Sequence, residues 1–237
     1  MSRDPRAEAP SRYEFAALES AQNYRAALIR EFRSHLRGRV LEVGGGVGQI
    51  TGLLLAEAAI DHLQVVEPEA GFAARLQRSF PGLDLVEGTI AAVPAAETFD
   101  ALVSINVLEH IQKDELELAA YRQRLAARRG ALCLFVPARP ELYGSIDRDF
   151  GHCRRYRLKE LQLKLETAGF QIESLSYFNF AGYFAWWWNF RLWRRHAFDP
   201  AAIRLFDRCL FPLQHAFESR LLRPPLGQSL ITIAAAN

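Results

Sequence analysis

Val40-Leu41-Glu42-Val43-Gly44-Gly45-Gly46-Val47-Gly48 is an apolar run that stops on a cluster of glycines. The run predicts a short buried strand over residues 39–43. The glycines let the chain turn through backbone angles closed to other residues and let a ligand approach the main chain. A helical pattern over residues 50–59 follows, so the turn is expected to present the free N–H groups of a helix start. Strand, glycine turn and helix in that order form the unit on which α/β sheets hold ligands.

Outward from this stretch the signals keep alternating. Strands are expected at 63–66, 83–86, 99–105, 130–136, 170–177 and 229–234. Helices are expected at 14–36 (one or two), 70–79, 114–129 and 158–168. Residues 130–136 are almost wholly apolar, as in a central strand covered on both faces. Residues 139–157, rich in charge and tyrosine, read as one long loop, and Gly169 as a helix stop. The pattern predicts an α/β fold with helices on both faces of a mostly parallel sheet.

The chain has 237 residues, half of them hydrophobic, with a formal net charge of +2. One α/β domain fits that length. So small an excess of positive charge argues against a nucleic-acid partner. Cys133, Cys153 and Cys209 are scattered and form no CxxC pair. Neither a disulfide framework nor a metal cluster is expected, and free thiols in a reducing cytoplasm are. Residues 1–15 are polar with two prolines, unlike a signal peptide, and read as a frayed arm. A soluble, cytoplasmic protein is the expectation.

A dinucleotide enzyme spaces its glycines G-x-G-x-x-G. Here Gly44, Gly46 and Gly48 alternate, and Gln49 stands where the third glycine belongs. Acid-x-Gly-x-Gly-x-Gly after a first strand resembles the signature of class I S-adenosylmethionine-dependent methyltransferases. Phe99-Asp100-Ala101-Leu102-Val103 followed by Asn106-Val107-Leu108-Glu109-His110-Ile111 resembles that family's fourth-strand motif. Gly151-His152-Cys153-Arg154-Arg155-Tyr156 is similar to a Gly-His-x-Arg-Arg-Tyr loop of one subgroup. The resemblance is strong over residues 36–136 and looser beyond.

It implies a Rossmann-like seven-stranded sheet of order 3-2-1-4-5-7-6, with a helical insert before the last strand. One domain is expected: a helical cap over 1–36, a cofactor-binding core over 37–177, an insert over 178–225 and the last strand over 226–237. It also implies S-adenosyl-L-methionine as cofactor, with Glu42, Gly44, Gly45, Gly46 and Gly48 against its amino-acid and sulfonium portion. Glu67, beside Pro68 after the second strand, would accept from both ribose hydroxyls; its other reading is a helix cap. Thr89 stands where the family often has an aspartate, and with Ile90 would face the adenine. Asn106 and Val107 complete the cofactor set.

Methyl transfer from a sulfonium is an in-line displacement in which the protein aligns the acceptor and sometimes removes a proton. His110 is the candidate base, or else a packing histidine. Tyr24, His152, Arg155 and Tyr156 are candidates for holding a small-molecule acceptor; Tyr24 is otherwise ordinary core, and the loop that carries the other three is otherwise pinned by ion pairs between Asp147 or Asp149 and an arginine. Trp186, Trp187, Trp188 and Trp193, interleaved with Arg191, Arg194 and Arg195, suit a helical cover, a homodimer interface or peripheral membrane contact with a sugar- or lipid-linked acceptor. A non-catalytic cofactor-binding subunit, and less so an NAD-dependent oxidoreductase, remain the alternative functions.

Overall fold

The computed structural model describes residues 20–192, 200–220 and 224–236. The expected arm, the first turn of the expected cap helix, and Trp193, Arg194 and Arg195 lie outside them.

Seven strands form one sheet: β1 (Gly38–Val43), β2 (Ile60–Glu67), β3 (Asp84–Glu87), β4 (Ala101–Ile105), β5 (Ala131–Pro137), β6 (Gln171–Phe178) and β7 (Ser229–Ala235). Their order is β3-β2-β1-β4-β5-β7-β6. Neighbours from β3 through β5 are parallel, with Val40 opposite both Leu63 and Ala101. β7 lies between β5 and β6 and runs antiparallel to both.

Side chains of a strand alternate between faces, and here both faces are apolar. Leu41, Val43, Leu102, Leu132, Leu134 and Val136 share one core with Leu118 and Leu125 of α4 (Asp114–Ala126) and Leu161 and Leu165 of α6 (Leu158–Thr167). Val40, Ala101, Val103, Cys133 and Phe135 share the other with Leu28 and Phe32 of α1 (Gln22–Phe32). Two covered faces are why β5 carries no polar side chain.

Two expectations fail on this framework. Residues 50–59 do not form one helix: α2 covers only Thr51–Leu54. The chain turns at Glu57, whose carbonyl accepts from the Ile60 N–H, because β2 starts early and pairs Ile60 with Gly38. Residues 139–157 are not one loop: they hold a 3-10 turn at Pro140–Leu142 and α5 (Ser145–Asp149). Asp147 Oδ2 accepts from the Gly144 N–H at 2.9 Å and closes the first turn of α5.

After α3 (Ala70–Ser79) and the central elements, the described residues between β6 and β7 are mostly helical. It comprises α7 (Phe180–Trp186), a π-helical stretch (Trp187–Leu192), α8 (Pro200–Leu205), a second π-helical stretch (Phe206–Leu210) and α9 (Phe211–Arg220). Asp207, buried within this region, accepts from the Asn23 and Tyr24 N–H groups, each at 2.9 Å. α1 has no capping side chain of its own at Ala21, so a residue from the far end of the chain satisfies its first donors.

Candidate active site

A cavity of about 400 Å³ opens at the carboxyl ends of β1, β2 and β4, where open α/β sheets hold ligands. The turn after β1 forms one wall. Gly44 has φ +80° and faces the Val107 side chain, where a Cβ would collide. Gly45 is held by Val65 and Leu76, whose methyls would lie 2.6 and 2.8 Å from a Cβ. Gly48 lines no part of the cavity; it turns at φ +88° beside the Phe80 ring, so its contribution is to the turn.

Glu67 lines the cavity from the end of β2, almost fully buried. Its Oε2 accepts from the Gly46 N–H at 2.8 Å and its Oε1 from the Glu69 N–H at 2.9 Å. Burial raises its pKa and these two N–H groups oppose the rise. Glu67 therefore ties the glycine turn to the second strand. A carboxylate has about four acceptor positions, so lone pairs remain for ligand hydroxyls.

Glu42 does not line the cavity. It is buried beneath the turn, its Oε2 has no hydrogen-bond partner among the described residues, and burial pushes its carboxyl up to about 8. A buried acceptor without a donor is costly, and this one fits a buried water. The bare turn and the Glu67 carboxylate together fit S-adenosylmethionine, and the volume suits a ligand of that size.

Pro68, Thr89 and Ile90 line the same cavity, Thr89 exposed and Ile90 buried. So do Asn106, Val107 and His110 after β4. Asn106 takes a left-handed conformation, φ 53°, while its N–H donates to the Phe135 carbonyl at 2.9 Å. Tyr24 of α1 also borders the cavity, its ring edge-on to Phe135 and Phe178 at 6.1 and 5.4 Å between centroids. It is at once wall and core, and burial raises its phenol. The sequence reading missed Glu69, Phe72 and Glu117, which also face the cavity. Their only signal was position, just after a strand or one helix turn beyond the fourth-strand motif.

Of the acceptor candidates, Tyr24 borders the cavity and the three loop residues do not. His152, Arg155 and Tyr156 do not line the cavity; all three are buried behind it. Arg155 Nε donates to Asp147 Oδ1 at 2.6 Å, and its guanidinium lies over the Trp186 ring at 4.4 Å. His152 Nδ1 is 3.1 Å from the same Asp147 oxygen. Burial would raise Asp147, but His152, Arg155 and the Gly144 N–H together hold it below its ordinary value. The Tyr156 hydroxyl donates to Asp114 Oδ2 at 2.9 Å and also reaches the Leu108 carbonyl. The physical reason is pairing: these polar groups are spent on buried partners, leaving Phe150 as the loop residue that reaches the cavity.

The pinning brings together a group that the sequence did not announce. The Cys153 N–H donates to the Glu109 carbonyl at 2.8 Å, which holds His152 beside Glu109 and His110. The two histidine rings meet edge-on at 4.8 Å between centroids.

Comparison with known proteins agrees with this architecture. A family model described as a methyltransferase domain matches residues 16–175. A comparison with curated proteins returns no match. Among solved structures, the Haloferax volcanii complex of the Trm112 methyltransferase activator with a methyltransferase aligns with a TM-score of 0.64 and 13% identity, over 100% of this chain and 99% of that one. An S-adenosylmethionine-dependent methyltransferase from Mesorhizobium loti gives 0.58 and 16%, over 88% and 97%. Another from Archaeoglobus fulgidus gives 0.58 and 18%, over 89% and 92%. At these identities the likeness is one of fold.

Proposed function

We propose, from the premise that the chain belongs to the class I S-adenosylmethionine-dependent methyltransferases, that it passes a methyl group to a hydroxyl or amine of a small-molecule acceptor. The observation that carries this reading is the sharing of one cavity by the glycine turn, Glu67 and His110. The bound cofactor supplies an electrophilic methyl on sulfur. The chain's part is to hold, orient and exclude water.

In this reading Gly44, Gly45 and Gly46 give the ligand access to main-chain atoms, and Glu67 accepts from its ribose while holding Gly46. Glu42 faces the turn from below. Thr89 and Ile90 border the ring, and Asn106 and Val107 close the wall between cofactor and acceptor. Tyr24 and Phe150 cover the apolar side. His110 receives the acceptor's proton, which needs an imidazole at the cavity rather than behind it.

Calorimetric titration with S-adenosylmethionine, its demethylated product and NAD tests the reading. Binding of the first two at micromolar concentrations, and none of NAD, is expected. NAD binding alone would overturn it. His110→Ala is expected to lower turnover more than cofactor affinity; wild-type turnover would leave His110 a packing residue.

One observation favours a lipid-linked acceptor. Phe180, Phe184, Trp187 and Trp188 are exposed along one helical stretch of the insert. Among the described residues no helix is long and apolar enough to cross a membrane, but such a stretch suits the plane of an interface. Flotation with anionic liposomes is the check, and protein left wholly in the unbound fraction would remove this reading.

A further inference from the structure

Glu109, His110 and His152 each offer a ligand atom, and the three atoms lie within 4.8 Å of one another. Glu109 and His152 are buried, whereas His110 is exposed and lines the cavity. We propose that these three side chains form a binding site for a divalent cation of zinc-like preference, set in the cavity wall.

The separations favour a shared ion over a direct bond. His152 Nε2 stands 4.0 Å from Glu109 Oε1. A charge-assisted hydrogen bond between such groups measures about 2.7–2.9 Å. Two ligands on one zinc ion, each about 2.0–2.2 Å from it, stand no more than about 4.3 Å apart. The set as a whole spreads over as much as 4.8 Å, so side-chain rotation is needed to bring all three atoms to tetrahedral spacing.

The surroundings hold His152 as metal sites hold a ligand. Asp147 Oδ1, 3.1 Å from Nδ1, accepts a hydrogen bond from the N–H at that nitrogen, which puts the lone pair on Nε2, the atom nearer Glu109. Asp147 is fixed in turn by Arg155 and the Gly144 N–H. The bond from the Cys153 N–H to the Glu109 carbonyl sets the two ligand-bearing segments in place. Two buried carboxylates, Glu109 and Asp147, stand with one buried guanidinium, Arg155.

Two imidazoles and one carboxylate are a ligand set that leaves zinc an open position. With His110 on the cavity side, that position faces the acceptor space, where an oxygen or nitrogen donor completes the coordination. In the loaded protein His110 is then a ligand rather than a base. This consequence rests on the methyl-transfer reading; the binding of the ion does not.

The test uses full-length, tag-free protein stripped with a chelator, then titrated with ZnCl2 by calorimetry and with CoCl2 by visible absorption. One equivalent of Zn2+ is expected, with the strong d–d bands of four- or five-coordinate Co2+. Glu109→Gln, His152→Ala and His110→Ala should each weaken binding at least about tenfold, and Cys153→Ser should leave it unchanged. No saturable binding, as from a bare imidazolium–carboxylate pair, would overturn the proposal. So would binding that survives all three ligand substitutions or that Cys153→Ser abolishes. Should the buried variants fail to fold, the exposed His110→Ala and the wild-type cobalt spectrum decide; the pale six-coordinate spectrum counts against the site. Titrating S-adenosylmethionine into the chelated protein separates the two proposals, since cofactor binding is expected to persist without metal.

Discussion

The two walls of the cavity are built from different materials. The wall after β1 and β2 is mostly main chain: three glycines, two N–H donors and one carboxylate that accepts from both. The wall behind His110 is mostly charged side chain: Asp147, Arg155, His152 and Glu109, all buried. The first is shaped by what is missing, the second by what is paired. A main-chain wall leaves its hydrogen-bonding capacity to a ligand; a paired wall has committed most of its own.

That contrast can be broken or sharpened by substitution. The largest effect is expected at Asp147. Asp147→Ala leaves Arg155 buried without its carboxylate and should cost about 3–5 kcal/mol of stability, read from urea unfolding. A cost below about 1 kcal/mol would mean that pairing does not hold this wall.

Glu42 provides the next test, and it depends on pH. Its folded carboxyl is raised from 4.5 to about 8, so the folded state binds a proton that the unfolded chain has released. The stabilisation is complete below 4.5 and is lost as pH rises from there through about 8. Glu42→Gln carries no such loss. Its melting temperature should match the wild type near pH 4 and exceed it by several degrees at pH 8, while cofactor affinity falls. A gap that does not vary with pH would put Glu42 in water.

Glu67→Ala should weaken S-adenosylmethionine binding by about 1.5–3 kcal/mol, the worth of hydrogen bonds to a charged group. It also releases the Gly46 N–H, so a change of stability should accompany it. Unchanged affinity in calorimetry would remove Glu67 from the ribose. The smallest effect is expected at Asp207. Asp207→Ala uncaps α1 and should cost about 0.5–2 kcal/mol, with a rise in cofactor Kd because Tyr24 rides on that helix. A loss of stability with no change in Kd would detach the insert from the site.

The same contrast explains what could be read from the sequence. The glycine turn is legible because its determinants are consecutive residues, and the two-faced strands because each is a continuous apolar run. The start of β2 was hidden by Asp61 and His62, polar residues of which the first faces solvent and the second bonds Asp84. The fates of Arg155 and Tyr156 were hidden because their partners, Asp147 and Asp114, become neighbours only on folding. The same sequence of charges reads equally well as an open binding loop. The cluster of Glu109, His110 and His152 was illegible for the same reason.

The place of β7 sets a timetable for synthesis. β5 pairs with β7 along its whole length, from Ala131 opposite Ala235 to Pro137 opposite Ser229. At roughly 5–20 residues per second, the ribosome needs about 5–20 s after finishing β5 to deliver that partner. Until then β5, the most apolar strand, presents an open row of main-chain donors and acceptors, and β6 has no place in the sheet. An open apolar edge is where nascent chains associate with one another. The interval between β5 and β7, more than the stability of the finished sheet, therefore sets how long the growing chain is open to such association.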